Sequence, residues 1–261
     1  MIGEARIAVV VPCYAEERLL GRTLATMPAF VDHVVVVDDA SPDATALVAR
    51  ATRDPRVDLV RHEVNRGVGA AIVTGYRAAL ANGASVIAVM AGDAQMHPDD
   101  LASVVAPVVE GRADYVKGNR FAHPSRHQMP RARRLAGKVL SATTRFFTGL
   151  DIDDSQCGYT ALSAAAARKL PLSELWPRFG YPNDLLGLLA AYGFRVADVP
   201  VQPVYGEAQS GVRPYHALIV GAVILRRFIR TQWRARRDFP TSAARARDQS
   251  TRRAPARSAA R

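Results

Sequence analysis

The chain has 261 residues, 49% apolar and 23% charged, a balance that fits one substantial globular domain with a short appendage. Its net charge of +11 is concentrated at one end: nine arginines against two aspartates put +7 in the last 28 residues and leave +4 for the rest. That distribution excludes a nucleic-acid-binding core, and two cysteines, Cys13 and Cys157, exclude a disulfide scaffold and fit a reducing compartment.

In chain order, Ile7–Val11 (IAVVV) predicts a buried strand stopped by Pro12, and Glu16–Met27 a helix stopped by Pro28. His33–Val37 (HVVVV) predicts a second strand running into Asp38-Asp39-Ala40-Ser41-Pro42-Asp43. Ser41 or Asp43 then caps a helix over Ala44–Thr52. A short strand is expected at Val57–Arg61, a helix at Val68–Asn82 closed by Gly83, and a strand at Val86–Met90. Such strands, apolar on both faces and separated by helices, indicate an α/β fold with a mostly parallel central sheet and helices on both faces.

Beyond this, Asp114–Lys117 reads as an edge strand. Met129–Gly149 reads as a helix with Leu135, Val139, Ala142 and Phe146 on one face, and Asp151–Tyr159 as a polar turn. Ala161–Leu170 and Asp184–Tyr192 read as helices and Arg195–Val201 as a final strand. Tyr215–Trp233 begins apolar and turns basic, and the Arg-rich remainder has no apolar periodicity and reads as disordered. The N-terminus offers no signal peptide, and the run Ala217–Leu225 is far short of the ~20 residues that span a bilayer.

Ligands of parallel sheets collect at the carboxyl ends of the strands, where Pro12-Cys13-Tyr14, Asp38-Asp39 and Asp93-Ala94-Gln95 fall. Asp93, Gln95 and His97 after a buried strand invite a metal ion, although Ala91 stands where a second carboxylate would strengthen the set. Lys117, Arg120, Arg131, Arg133 and Arg134 supply a basic counterpart. Carboxylates hold a phosphate only through a divalent cation, whereas arginines clamp its oxygens directly. Together they point to a nucleotide-diphosphate substrate. Asn65-Arg66-Gly67-Val68-Gly69 lacks the full G-x-G-x-x-G and follows the third strand, so it reads as a turn with close helix packing rather than a dinucleotide fingerprint.

These segments resemble those of family 2 glycosyltransferases. Pro12-Cys13-Tyr14-Ala15-Glu16 is similar to the family's PxYNE entry, with Ala15 for Asn, and Val37–Thr45 to its VDD(G/A)SxDxT segment. Asp93-Ala94-Gln95 sits at the second Asp and the Gln of DxDxQ, with Ala91 at the first Asp. Lys117-Gly118-Asn119-Arg120-Phe121 resembles the (K)GxRF segment, and Asp154–Tyr159 the D(S/T)QCGY segment. The five recur in order between Ile7 and Val204, and the branch most resembled is the polyprenyl-phosphate sugar synthases, such as dolichol-phosphate mannose synthase.

The resemblance implies a GT-A fold over residues 1–211, a GDP- or UDP-sugar donor, Mg²⁺ or Mn²⁺, and inversion at the anomeric carbon. It implies that Pro12, Tyr14, Glu16, Asp39 and Asp93 hold the nucleotide side, and that Asp93 and Gln95 bind the metal. It further implies that Arg120 and Arg134 face phosphates (Arg131 or Arg133 being alternatives to Arg134) and that Asp154 lies near the acceptor. A polyprenyl-phosphate acceptor, already an anionic nucleophile, needs alignment rather than a base. A hydroxyl acceptor on the same fold would use Asp154 as base, and Ala91 leaves open a weakly catalytic nucleotide-sugar-binding protein. The basic residues Arg131–Arg145 fit an anionic acceptor or a solvated helix face. Residues 212–233 fit a helix on an anionic membrane surface, or one packed on the domain or on a second copy, ahead of the tail 234–261. A place in the cytoplasm, peripheral on the inner face of the cell membrane, is the expectation that follows.

Overall fold

The computed structural model of the protein describes residues 4–204 and 216–238. The first half alternates as expected: β1 (Ile7–Cys13), α1 (Leu20–Ala25), β2 (His33–Asp38), α2 (Thr45–Ala51), β3 (Val57–Arg61), α3 (Val68–Ala81) and β4 (Val86–Val89). The second half adds α4 (Leu101–Val109), β5 (Tyr115–Asn119), α5 (Arg131–Thr148), β6 (Thr160–Ser163), α6 (Ala164–Lys169), α7 (Tyr181–Ala191), β7 (Val196–Pro200) and α8 (His216–Asp238).

One seven-stranded sheet runs in the order β3-β2-β1-β4-β6-β5-β7. Only β6 is reversed: it pairs antiparallel with β4 and with β5, whereas the β1–β2, β1–β4, β2–β3 and β5–β7 pairs are parallel. The carboxyl ends of β1, β2, β4 and β5 therefore share one edge of the sheet, and the residues leading into β6 arrive at that same edge. Alternation along β1 feeds two cores. Ala8 and Val10 pack with α3 and α7 through Ile72, Tyr76, Leu185 and Leu189. Ile7, Val9 and Val11 pack with α1 and α4 through Leu20, Leu24, Leu101 and Val105. Both faces are covered over β1, β2 and β4, which is why these central strands are almost wholly apolar.

Four readings of the sequence need correction. The helix expected from Glu16 begins at Leu20, because the Glu16 and Glu17 amides donate across to Thr45 Oγ1 (2.8 Å) and Asp43 Oδ2 (3.2 Å). The segment at Asp114–Lys117 is not an edge: β5 lies between β6 and β7. Ala161–Ser163 belong to β6 rather than to a helix, and Ser163 caps the shorter α6 by accepting from the Ala166 amide. Helix α4 had a legible signal, Leu101, Val104, Val105 and Val108 at helical spacing, hidden behind Pro98 and Asp99-Asp100.

Helix α5 lies where a helix was expected but turned the other way from an ordinary surface helix. Its apolar residues Leu135, Val139 and Phe146 are exposed, and the buried line is Gly137, Ser141 and Thr144. The reason is the polar turn it packs on. Ser141 Oγ accepts from the Ser155 amide (2.9 Å), and Thr144 Oγ1 accepts from Asn183 Nδ2 (2.6 Å). A side chain at Gly137 would meet the Phe121 ring at 2.8 Å.

Helix α8 packs on α5 and α7. Its Arg227 is buried and donates from Nε and a terminal nitrogen to Asp184, 2.7 Å each, with a further bond to the Glu174 carbonyl. It continues to Asp238, five residues into the segment read as tail; residues 239–261 and the 205–215 connection lie outside the described residues. Among the described residues, no helix is long and apolar enough to cross a membrane.

Candidate active site

The loops leaving β1 and β2 are tied to each other. The Asp39 amide donates to the Cys13 carbonyl (2.9 Å), the Ala15 amide to Ser41 Oγ (3.1 Å), and Glu17 accepts from the Ala44 amide (2.9 Å). Asp43 accepts from the amide and hydroxyl of Thr45, so it organises the start of α2, while Ser41 serves the β1 loop instead. Ala15, Ala40 and Ala94 all adopt positive φ (58°, 59° and 53°), one in each loop at the ends of the central strands β1, β2 and β4. Left-handed alanine costs about 1–2 kcal/mol per residue, and backbone strain of this kind gathers at functional sites.

Of the two adjacent aspartates, Asp38 is fully buried, accepts from the Ser41 amide and pairs with Arg61 Nε at 3.0 Å. Asp39, also buried, accepts from the Arg66 amide (2.8 Å) and the Gly67 amide (2.7 Å) and lies 2.7 Å from His62 Nδ1. Asp39 thus anchors the turn into α3. That turn needs glycine for packing: Gly67 has φ 93°, and a Cβ on Gly69 would stand 2.3 Å from the Trp176 carbonyl oxygen.

At the mouth, Pro12 is buried, Tyr14 is exposed, and Glu16 and Asp93 form an acidic pair. Burial pushes the Glu16 carboxyl up to about 7, helped by the charges of Asp93 and Asp43. Burial likewise holds Asp93 above the usual carboxylate range, although it accepts from the Gln95 amide (3.0 Å). A divalent cation relieves this kind of crowding. Among the described residues, no three His, Cys, Asp or Glu side chains converge to hold a metal by themselves. Asp93 and Gln95, the residues expected to bind a metal, both stand at this mouth, and Ala91 offers no side-chain ligand beside them.

The basic half stands at the end of β5. Arg120 donates from Nε (2.7 Å) and a terminal nitrogen (3.0 Å) to the two oxygens of Asp154, and its amide donates to the same carboxylate (3.2 Å). Asp154 is fully buried; burial alone would raise its carboxyl, but Arg120 and Lys117 outweigh burial and hold it below the usual range. Two further groups complete this half. Lys117 is fully buried and donates to the Cys157 carbonyl (2.5 Å), tying β5 to the Asp154–Gly158 turn. Asp198 on β7, pushed up to about 6 by burial, accepts from the Asp153 amide (2.5 Å) and from Asn119 Nδ2 (3.3 Å). Lys117 was among the basic residues read from the sequence, at a loop start rather than inside a buried strand; nothing local marked Asp198. Gln156 donates to Asn183 (2.9 Å), which joins this turn to α7. Arg134 sits in the first turn of α5, half-buried, beside Arg131 and Arg133.

An α/β sheet with one reversed strand, an acidic mouth at the ends of β1 and β4 and a braced arginine at the end of β5 make up a GT-A-like fold. The family model "Glycosyl transferase family 2" matches residues 8–176, and the chain belongs to that family; it is a glycosyltransferase. The chain is 30% identical to the undecaprenyl-phosphate mannosyltransferase of Micrococcus luteus, over 84% of this chain and 91% of that one. It is 27% identical to the UDP-N-acetylglucosamine–dolichyl-phosphate N-acetylglucosaminyltransferase of Methanococcus voltae, over 77% and 86%. The fold matches Mycobacterium tuberculosis glucosyl-3-phosphoglycerate synthase, solved with Mn²⁺, uridine diphosphate and phosphoglyceric acid. That match has a TM-score of 0.67 at 21% identity, covering 86% of this chain and 79% of the other.

Proposed function

We propose that the protein transfers a sugar from a nucleotide-diphosphate donor to a polyprenyl phosphate, with inversion at the anomeric carbon. The observation that carries the reading is the divided charge of one sheet edge. Glu16 and Asp93 stand at the ends of β1 and β4, and Arg120, held bidentately by Asp154, stands at the end of β5. Two relatives whose names specify undecaprenyl-phosphate and dolichyl-phosphate transfer support the acceptor class.

Pro12, Tyr14, Glu16 and Asp39 line or brace the nucleotide side; the exposed Tyr14 ring offers a face for the base, and Asp39 acts by holding the Arg66–Gly67 turn. Asp93 and Gln95 would hold Mg²⁺ or Mn²⁺, which supplies positive charge against the departing diphosphate. Arg120 and Arg134 orient the acceptor phosphate, one oxygen of which bonds to the anomeric carbon as the bond to the nucleoside diphosphate breaks. The phosphate is already ionised near neutral pH, so no proton has to be removed. That suits Asp154, whose depressed carboxyl is a weak base but a firm brace for Arg120. Such an acceptor resides in a bilayer, so the enzyme works at a membrane surface.

The test is transfer of radiolabel from GDP-mannose, UDP-glucose or UDP-N-acetylglucosamine into organic-extractable lipid in the presence of Mn²⁺. Label that stays aqueous with every donor and polyprenyl phosphate tried would sink the proposal. Asp93→Ala is expected to abolish Mn²⁺-dependent nucleotide binding, and unchanged binding would remove Asp93 from the metal site.

A further inference from the structure

We infer that Asp198 is a positioning residue for Arg120, and that it works as a clamp only while its carboxyl is ionised. The Arg120–Asp154 pair joins two side chains, whereas the segments that carry them are joined one residue earlier. Asp198 Oδ2 accepts from the Asp153 amide (2.5 Å) and from Asn119 Nδ2 (3.3 Å). One oxygen therefore gathers the residue ahead of Asp154 and the residue ahead of Arg120. Asn119 is buried, and its Oδ1 accepts from the Phe121 and Ala122 amides (3.0 and 3.1 Å), which carries the hold past Arg120.

Asp198 on β7 and Lys117 on β5 are register partners. Lys117 donates to the Cys157 carbonyl, so the Asp153–Cys157 turn is held at its first amide by a carboxylate and at its last carbonyl by an ammonium. Hydrogen bonds to an ionised acceptor are roughly twice as strong as neutral ones, and protonation gives up that gain. The second oxygen, Oδ1, is buried with no hydrogen-bond partner among the described residues, which leaves a place for the proton. Asp198 is faced by Lys117 and Asn119 from β5 and by Asp153 and Asp154 from the turn, and these two aspartates are bonded in turn to Arg145 and Arg120. Helix α4, also packed on β7, carries no charged residue. Burial pushes the Asp198 carboxyl up to about 6, against the pull of the Asp153 amide and Lys117. The clamp therefore loosens as pH falls through that value.

This goes beyond the transfer reaction and rests on it in one arm of the test only. Asp198→Asn keeps the shape of the side chain and the charge of its protonated form. In the full chain with nitrogen-15 in its arginines, the Arg120 Nε–H resonance is identified by its loss in Arg120→Lys. It is expected to shift with a midpoint of about pH 6, and to lose that step in Asp198→Asn. With farnesyl phosphate as acceptor and the working donor saturating, kcat/KM for the acceptor should be about tenfold lower in the variant at about pH 7.5. The gap should close by about pH 5, below the Asp198 value. The acceptor phosphate also ionises near pH 6, but in both proteins alike, so it cancels in their ratio. Mn²⁺-dependent nucleotide binding should not change. Urea unfolding at about pH 7.5 should not weaken either, because a carboxyl raised above its ordinary value is penalised while ionised. A step that persists in Asp198→Asn, a ratio that does not move with pH, or an activity loss matched by lost stability would overturn the inference. Farnesyl phosphate that accepts no sugar from any donor counts against the acceptor class, and the Arg120 resonance then decides the clamp by itself.

Discussion

Asp154→Asn separates a brace from a base. The carboxylate is fully buried and accepts four hydrogen bonds: two from the Arg120 side chain, one from the Arg120 amide and one from the Gln156 amide. Asparagine keeps one acceptor oxygen but points an amide donor at the guanidinium and deprives the buried Lys117 of one of its compensating charges. Breaking a buried pair from one side costs about 3–5 kcal/mol. Arg120 retains some exposure (24% of its side chain) and recovers part of its hydration, so the lower end, about 3 kcal/mol, is expected. For a chain of this size that is a fall in Tm of about 10 °C. Because the Asp154 carboxyl is held below its ordinary value, its stabilisation is complete above the unfolded value and is lost only as pH falls through the lower, folded one. The wild-type advantage in urea unfolding should thus be constant from pH 7 to 5 and shrink below about pH 4. Turnover should drop about a hundredfold, since Arg120 loses its aim. A loss under about 1 kcal/mol with unchanged kcat/KM, or an advantage already fading between pH 7 and 5, would refute the reasoning.

Three further outcomes are expected. Glu16→Gln should stabilise the free protein by about 2 kcal/mol at pH 8, because the carboxyl pushed up to about 7 is penalised when ionised; the gain should vanish below pH 4.5, and a pH-independent effect in urea titrations would contradict the assignment. Ala91→Asp should tighten Mn²⁺ binding in the presence of nucleoside diphosphate about tenfold by calorimetry, and no change would mean that position 91 does not face the cation. Gly69→Ala drives a Cβ into the Trp176 carbonyl and should cost about 3 kcal/mol of unfolding free energy; a loss below about 0.5 kcal/mol would show that the contact yields.

Much was legible in the residues alone. Continuous apolar runs at Ile7–Val11, His33–Val37 and Val86–Val89 announce strands covered on both faces, since no polar side would survive there. The acidic and glycine-bearing segments after them mark the loops of a strand-end site, and local chemistry made Gly67–Gly69 a packing turn. What stayed hidden depended on partners far along the chain. Periodicity groups Leu135, Val139, Ala142 and Phe146 without saying whether they face core or solvent. That was decided by Ser155 and Asn183, polar groups whose burial requires hydrogen bonds that Ser141 and Thr144 supply. Arg227, in a helix read as lying on a membrane surface or packing on the domain or a second copy, is buried because Asp184 lies 43 residues earlier on α7. The short strand Thr160–Ser163 carries too little pattern to be read, yet its reversal brings Asp154 to the edge where Glu16, Asp93 and Arg120 stand. The sequence by itself determined the strands, the loops and the chemistry available to them, because hydrophobic period and charge are local properties. Only the tertiary structure decided which loops share an edge and which helix face meets water, because pairing and burial are settled between segments far apart in the chain.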